Sequence, residues 1–159
     1  MSVREQIFIR TDRKPAEIAG VIATLVNGRT EVSNDDTWLL VSIGTLLPDS
    51  DLRSAEFGGP VLPYVADPPF QPGEFEATDA YNVEVRLWLA GARNEALEAA
   101  AADQIFAVVA RMEVAAVQVR RDDKLIRAVL PGRAPYDFPA GTLIYETDRD
   151  RWNGYVLEA

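Results

Sequence analysis

The chain has 159 residues, of which 48% are hydrophobic and 26% are charged, a composition typical of a globular protein and not of a disordered segment. It has no cysteine and no histidine, which excludes disulfides, thiolate nucleophiles, Cys/His zinc sites and proton transfer by imidazole. Its 25 acidic and 16 basic residues give a net charge of −9, which argues against nucleic-acid binding and favours a basic protein partner.

The N-terminus and the spread of apolar residues argue against a membrane location. The opening residues, MSVREQIFIR, lack the basic segment and long apolar run of a secretory signal. No stretch approaches the roughly 18 consecutive apolar residues that indicate a membrane span. We therefore expect a cytoplasmic protein that makes no membrane contact and forms one domain over residues 1–159.

The first half of the chain predicts two strands and a helix. Residues 5–10, EQIFIR, alternate between apolar and polar side chains, as a half-buried strand does. Residues 15–27 place apolar side chains at helical spacing, with Pro15 in the first turn and Gly28 as a stop signal. Residues 37–44, TWLLVSIG, alternate again and predict the second strand.

The second half repeats this order. Residues 81–91, YNVEVRLWLAG, predict the third strand, and Asn94 can cap a second, longer helix. Residues 114–120, VAAVQVR, predict a fourth strand that buries Val117 and Val119. A turn at RDDK then leads into the apolar stretch LIRAVL.

This order of elements predicts an α+β protein with the ferredoxin-like split βαβ fold. In that fold both helices cover one face of a four-stranded antiparallel sheet, and the aliphatic sides of the strands face them. The residues after the fourth strand would add further strands or a hairpin that extends or covers the sheet.

The opposite face of the predicted sheet carries large aromatic side chains, which need cover because a large exposed apolar patch is unusual in a monomer. Either the C-terminal residues of the chain cover this face or a partner does, such as a second copy in a homodimer. A small-molecule pocket on the open face is a further hypothesis, in which two arginines hold a carboxylate or phosphate group. Its lining would be Phe8, Trp38, Arg86, Trp88 and Arg120.

Residues 46–78, between the second and third strands, are predicted to be a long loop that holds six of the ten prolines. Long connections of this kind are often functional. The segment is acidic, and aromatic anchors ringed by carboxylates suit a basic protein partner, although the aromatics could instead pack into the core. The predicted partner-binding residues are Asp49, Asp51, Glu56, Phe57, Tyr64, Asp67, Phe70, Glu74, Phe75 and Glu76.

The stretch TDRDRWNGYV near the C-terminus has the spaced aspartates of a calcium-binding loop. Counting from Asp148, however, positions 5, 6 and 12 are Trp152, Asn153 and Ala159, where an EF-hand needs Asp or Asn, then Gly, then Glu. We therefore predict no metal site here and a hairpin with Asn153 and Gly154 as its turn pair.

No catalytic residue and no cofactor are predicted. Asp35–Asp36 and Asp122–Asp123 are neighbours in sequence, whereas carboxylate catalysis needs two acids that converge across a cleft with different pKa values. Both pairs are predicted to be turns. The leading hypothesis is a non-enzymatic protein-binding domain, with a toxin-neutralising immunity protein as one version. The alternative is a small-molecule-binding or catalytic domain with its pocket on the open sheet face.

Overall fold

The computed structural model describes residues 5–66, 74–91 and 93–158. Within these ranges the strands are β1 (Glu5–Arg10), β2 (Arg29–Ser33), β3 (Asp36–Ser42), β4 (Glu56–Pro63), β5 (Val83–Leu89), β6 (Ala115–Arg120), β7 (Lys124–Val129) and β8 (Tyr136–Asp137). The α-helices are α1 (Pro15–Val26), α2 (Ile43–Leu46), α3 (Glu95–Val109) and α4 (Arg149–Trp152). Two 3-10 helices cover Ala110–Met112 and Glu146–Asp148.

In the described residues the strands form one eight-stranded antiparallel sheet, ordered β2-β3-β4-β5-β1-β6-β7-β8. The predicted α+β class is confirmed, and the sheet has more strands than expected. The turn joining β2 to β3 places Asn34 and Asp35 at φ values of 51° and 66°. The turn joining β6 to β7 places Arg121 and Asp122 at 55° and 70°. Both acidic pairs therefore contribute to tight turns.

Local sequence signals explain where α1 and α3 begin and end. Pro15 occupies the first turn of α1, and Asn27 ends the helix in the left-handed conformation, with φ of 56°. The side chain of Asn94 accepts a hydrogen bond from the backbone N–H of Leu97 at 3.1 Å, so it caps α3 as predicted.

Both long helices pack on the same face of the sheet, which we call the helix face. Apolar side chains of β1, β3 and β5 meet apolar side chains of α1 and α3 there, and this cluster forms the larger core. Its central members include Ile7, Ile9, Leu39, Val41, Val85, Leu87, Ile18, Ile22 and Ile105. The helix-facing sides predicted for these three strands are therefore correct.

Val117 and Val119 of β6 are buried as predicted, but the prediction that they face the helices is wrong, because the sides of this strand are reversed. Gln118 lies opposite Ile7 of β1 and donates a hydrogen bond to Asp103 of α3 at 2.9 Å, so it belongs to the helix face. Val117 and Val119 are fully buried on the other face. Both sides of β6 are buried, and its alternation alone could not indicate which side meets the helices.

The face opposite the helices, here the second face, has two parts. Over β1, β6 and β7 it is covered by C-terminal residues, and we call this part the covered half. Its core residues are Phe8, Ala77, Tyr81, Ala115, Val117, Val119, Leu125, Ala128, Phe138, Ile144, Trp152 and Val156. Over β3, β4 and β5 lies the open half, where Trp38, Leu40, Leu62, Arg86 and Trp88 are only half-buried. The candidate site lies on the open half, because the aromatic side chains there are not covered by the C-terminal residues.

The prediction that residues 46–78 form one long loop is wrong, because β4 lies within them. β4 pairs with both β3 and β5 and so stands inside the sheet. Its sequence, EFGGPVLP, contains glycine and proline, a pattern more typical of a loop than of a strand inside a sheet. Phe57 and Val61 are buried, at 0% and 2% exposure, so packing from both neighbouring strands holds this segment extended.

The predicted C-terminal hairpin at Asn153 and Gly154 is also wrong, because the chain forms a 3-10 helix followed by α4. Trp152 anchors this arrangement, since it is 2% exposed and its Nε1 donates to the Tyr145 carbonyl oxygen at 3.4 Å. Asp148 accepts a hydrogen bond from the backbone N–H of Leu143 at 2.7 Å. The aspartate that suggested a calcium loop therefore closes a turn.

Candidate binding surface

The open half centres on two tryptophans. The rings of Trp38 and Trp88 meet edge to face, with centroids 5.3 Å apart and planes at 86°. Trp38 lies opposite Pro60 of β4, and Trp88 lies opposite Gly58. Such an aromatic contact stabilises a fold by about 0.5–1.5 kcal/mol beyond the area that it buries. Neither ring is fully buried, so each keeps surface that a partner could cover.

Two glycines of β4 allow the neighbouring strands β3 and β5 to approach closely. A Cβ atom at Gly58 would lie 1.9 Å from the carbonyl oxygen of Leu39, and φ of 153° at this residue strains any other side chain. A Cβ atom at Gly59 would lie 2.1 Å from the carbonyl oxygen of Arg86 and 3.1 Å from Cζ3 of Trp88. The glycine pair is therefore a packing requirement of the open half.

A polar group borders the tryptophans on β5 and β1. Nη2 of Arg86 lies 3.2 Å from Oε1 of Glu84, and Nε2 of Gln6 donates to Oε2 of the same carboxylate at 2.6 Å. Nε of Arg86 and Oε1 of Gln6 are closed to solvent and have no hydrogen-bond partner in the described part of the chain. The side chain of Arg86 is still 41% exposed, so its guanidinium can bind a further acceptor.

Three carboxylates around Tyr64 adjoin this polar group, and we call Glu76, Asp79 and Glu84 the acidic margin. Burial raises the pKa of Tyr64, and the negative charges of the acidic margin raise it further. Since Glu84 also pairs with Arg86, the acidic margin continues directly into the open half. Glu84 is 4% exposed, so the acidic part of this surface comes from Glu76 and Asp79, which are half-buried.

The structure brings together three of the five residues predicted to line a pocket: Trp38, Arg86 and Trp88. Phe8 lies on the same face but is 4% exposed, in the covered half, with its ring 4.8 Å from that of Tyr64. Arg120 is on the helix face, where its Nε lies 2.7 Å from Glu5. The prediction that Arg120 joins the tryptophans is wrong because of the reversed sides of β6.

Those predicted partner-binding residues that the structure describes do not form one surface. Asp49 and Asp51 are exposed before β4, whereas Glu56 begins this strand and lies 2.5 Å from Arg29. Phe57 is fully buried in the core, so the prediction that it contacts a partner is wrong.

The remaining predicted residues follow β4. Tyr64 and Glu76 lie at the acidic margin, and exposed Glu74 precedes Phe75, whose ring lies 4.8 Å from the guanidinium carbon of Arg149. Asp67 and Phe70 lie outside the described residues.

Sequence reasoning missed a tyrosine that extends the acidic surface. Tyr145 is 41% exposed, and burial followed by the charges of Asp123, Glu76 and Asp122 raises its pKa. Asp122 and Asp123 come from the turn between β6 and β7, far from Glu76 along the chain. No local pattern indicates that this turn meets residues that precede β5.

Two further features of the structure concern metal binding and membrane-spanning helices. In residues 5–66, 74–91 and 93–158, no three Asp, Glu, Cys or His side chains are grouped so that they could hold a metal ion. The helices of the described ranges are too short or too polar to cross a membrane.

Comparison with protein-family models, curated proteins and solved structures finds no match. The geometry of the open half and the acidic margin is therefore the main guide to function.

Proposed function

We propose that this chain is a non-enzymatic cytoplasmic protein-binding domain whose partner is a basic protein. The partner docks on the open half and the acidic margin. The observation that carries the proposal is the half-buried pair of Trp38 and Trp88 beside a partly exposed Arg86. Tryptophan, tyrosine and arginine are enriched among the residues that dominate binding energy at protein interfaces.

Charge supports the choice of a basic partner. The chain carries a net charge of −9, and the acidic margin around Tyr64 is joined to the open half by the ion pair of Glu84 and Arg86. Complementary charge around an apolar centre speeds association and selects among partners. A toxin-neutralising immunity protein is one concrete form of this function, because such a protein can block a basic effector by charge and shape.

A small-molecule-binding or catalytic domain is the second candidate. It is favoured by the two buried polar atoms beside Trp88, Nε of Arg86 and Oε1 of Gln6, which lack hydrogen-bond partners among the described residues. A ligand carboxylate would bind the exposed part of the Arg86 side chain, which is 41% exposed.

For the fold, we propose a ferredoxin-like split βαβ unit that is extended at both edges. The order β4-β5-β1-β6, with α1 following β1 and α3 following β5, supports this proposal. The hairpin of β2 and β3 would then extend one edge, and β7 and β8 the other.

The test is capture of partners from a lysate of the source organism by four tagged proteins. These are the native chain, the Trp38→Ala/Trp88→Ala variant, the Glu76→Gln/Asp79→Asn variant, and a Leu25→Ala control. Leu25 is 52% exposed on α1, on the opposite side of the sheet. We expect one basic protein at equimolar amount with the native chain and the control, and its loss with the tryptophan variant.

Salt and the acid variant refine this test. Binding should weaken as salt rises, and the Glu76→Gln/Asp79→Asn variant should bind more slowly and with a smaller salt dependence. The proposal is contradicted if the tryptophan variant captures the same protein as the native chain, or if no basic protein is captured. A purified chain that sediments as a dimer through the open half would also contradict it.

A further inference from the structure

A cavity of about 270 Å³ lies on the helix face, between the first turns of α3 and the turn that joins β6 to β7. It is on the opposite side of the sheet from the open half. Two alanines of α3 leave the space, and the charged residues that line it are Glu5, Glu95, Glu98, Arg120, Arg121 and Lys124. The cavity is therefore lined by three acids and three bases.

Two ion pairs account for four of these charges. Nε of Arg120 lies 2.7 Å from Oε2 of Glu5, and Arg121 pairs with Glu95 at the rim. The two charges that remain are the carboxylate of Glu98 and the ammonium of Lys124, neither of which forms an ion pair within the described ranges. One unmatched charge of each sign is thus present in the same cavity.

Glu98 shows that a hydrogen-bond donor is missing. The residue is 2% exposed, and its Oε2 accepts a hydrogen bond from the backbone N–H of Leu89 at 3.2 Å. Its Oε1 is closed to solvent and has no partner in the described part of the chain. Oε1 of Glu5, also 2% exposed, is in the same state. Unsatisfied buried acceptors are rare in folded proteins, so an ammonium group in the cavity would favour a small rotation of either carboxylate toward it.

Lys124 offers the complementary charge. It is exposed at the start of β7, beside the ion pair of Arg121 and Glu95 that forms the rim. A carboxylate at the mouth of the cavity would meet this ammonium group while the other end of the same molecule reaches the buried acids.

We propose that this cavity binds a small zwitterion that carries one ammonium and one carboxylate group, such as an amino acid. The ammonium binds Glu98 and Glu5, and the carboxylate binds Lys124. A cavity of this volume is near the lower limit for small-molecule sites, which matches a ligand of this size. The site is independent of the partner surface on the open half.

The chain contains only two lysines, Lys14 and Lys124, which allows a direct test. Protein labelled with ¹⁵N-lysine gives one backbone amide signal from each in an ¹H–¹⁵N spectrum. The probes are α-amino acids and ω-amino acids of increasing length, each with its N-acetylated and carboxamide form. We expect a saturable shift of the Lys124 signal with zwitterions only, and no shift of Lys14.

Variants then identify the two contacts by calorimetry. Glu98→Gln and Lys124→Gln should each weaken binding by at least about tenfold, since each removes a charge-assisted hydrogen bond. Lys14→Gln is the matched control, because the Lys14 side chain makes no capping bond to α1, and it should bind as the native chain does. Lys124 is exposed at the start of β7, so Lys124→Gln should fold and tests the proposal even if Glu98→Gln unfolds.

Two results would overturn the proposal. One is the absence of a saturable Lys124 shift with every zwitterion. The other is equal binding of the N-acetylated or carboxamide forms, because these lack one of the two charges that the cavity matches.

Discussion

The two halves of the second face belong to the same antiparallel sheet but differ in how far their aromatic side chains are buried. In the covered half, Trp152 from α4 is 2% exposed and packs over β1, β6 and β7. In the open half, Trp38 and Trp88 contact each other but remain half-buried. The same chemical group therefore serves the core in one half and is available for binding in the other. What separates them is whether C-terminal residues reach the strands.

The largest expected effect is on the covered half. Trp152→Ala removes a buried aromatic side chain and should lower the free energy of unfolding by about 3–5 kcal/mol. Trp38→Ala, in the open half, should cost much less because the ring is only half-buried. Urea denaturation of both variants checks this, and equal losses would remove the distinction between the halves.

Substitution of a glycine in β4 should give the next largest loss of stability. Gly58→Ala places a Cβ atom 1.9 Å from the carbonyl oxygen of Leu39, in a backbone conformation that alanine avoids. We expect a loss of about 3 kcal/mol or more. Gly20→Ala in α1 is the control, since its Cβ would have no neighbour within 4 Å and it should stabilise the chain by about 0.4–1 kcal/mol. A harmless Gly58→Ala would contradict the account of β4.

A pH-dependent effect is expected from Tyr81 in the covered half. Its Oη accepts a hydrogen bond from the backbone N–H of Leu157, and burial raises its pKa from 10.0 to about 12. The unfolded chain therefore loses the proton first, and stability that is fully present below pH 10 should fall as pH rises toward 12.

Tyr81→Phe removes this titration, and the stability difference between the native chain and the variant measures it. By the free energy of one pKa unit, the difference should change by up to about 2.7 kcal/mol across this range. Val32→Ala, at a position that is 76% exposed and has no ionisable side chain, is the control and should show no such change. A difference for Tyr81→Phe that is constant with pH would show that the covered half does not bury this hydroxyl.

The smallest effect concerns the tryptophan pair itself. In a double-mutant cycle with Trp38→Ala and Trp88→Ala, we expect a coupling energy of about 0.5–1.5 kcal/mol. Additive losses would mean that the rings do not contact in solution. A coupling above this range would indicate that the pair is part of the core and not a partner surface.

Much of the helix face could be predicted from the sequence. The spacing of apolar residues indicated α1 and the buried sides of β1, β3 and β5, and Asn94 indicated the start of α3. These signals are local, because each helix or strand buries one side and its period of 3.6 or 2 appears in the chain.

The candidate site could be predicted only in part. Alternation along β3 and β5 placed Trp38, Arg86 and Trp88 on a common face, which the structure brings together. It could not indicate that Asp122 and Asp123 lie near Glu76, because that contact joins distant parts of the chain.

The apolar pattern of the chain was enough to predict the elements whose burial repeats along it: the two long helices and the strands β1, β3 and β5. The packed structure was needed to establish that β4 is a strand, that Arg120 faces α3, and that Trp152 covers one half of the second face. In these places the partner of each group comes from a distant part of the chain. Glycine and proline in β4 are held by two neighbouring strands, and Arg120 is buried because Glu5 and Asp103 pair with it. Such non-local contacts overrule local preference because each favoured packing is a property of the assembled sheet.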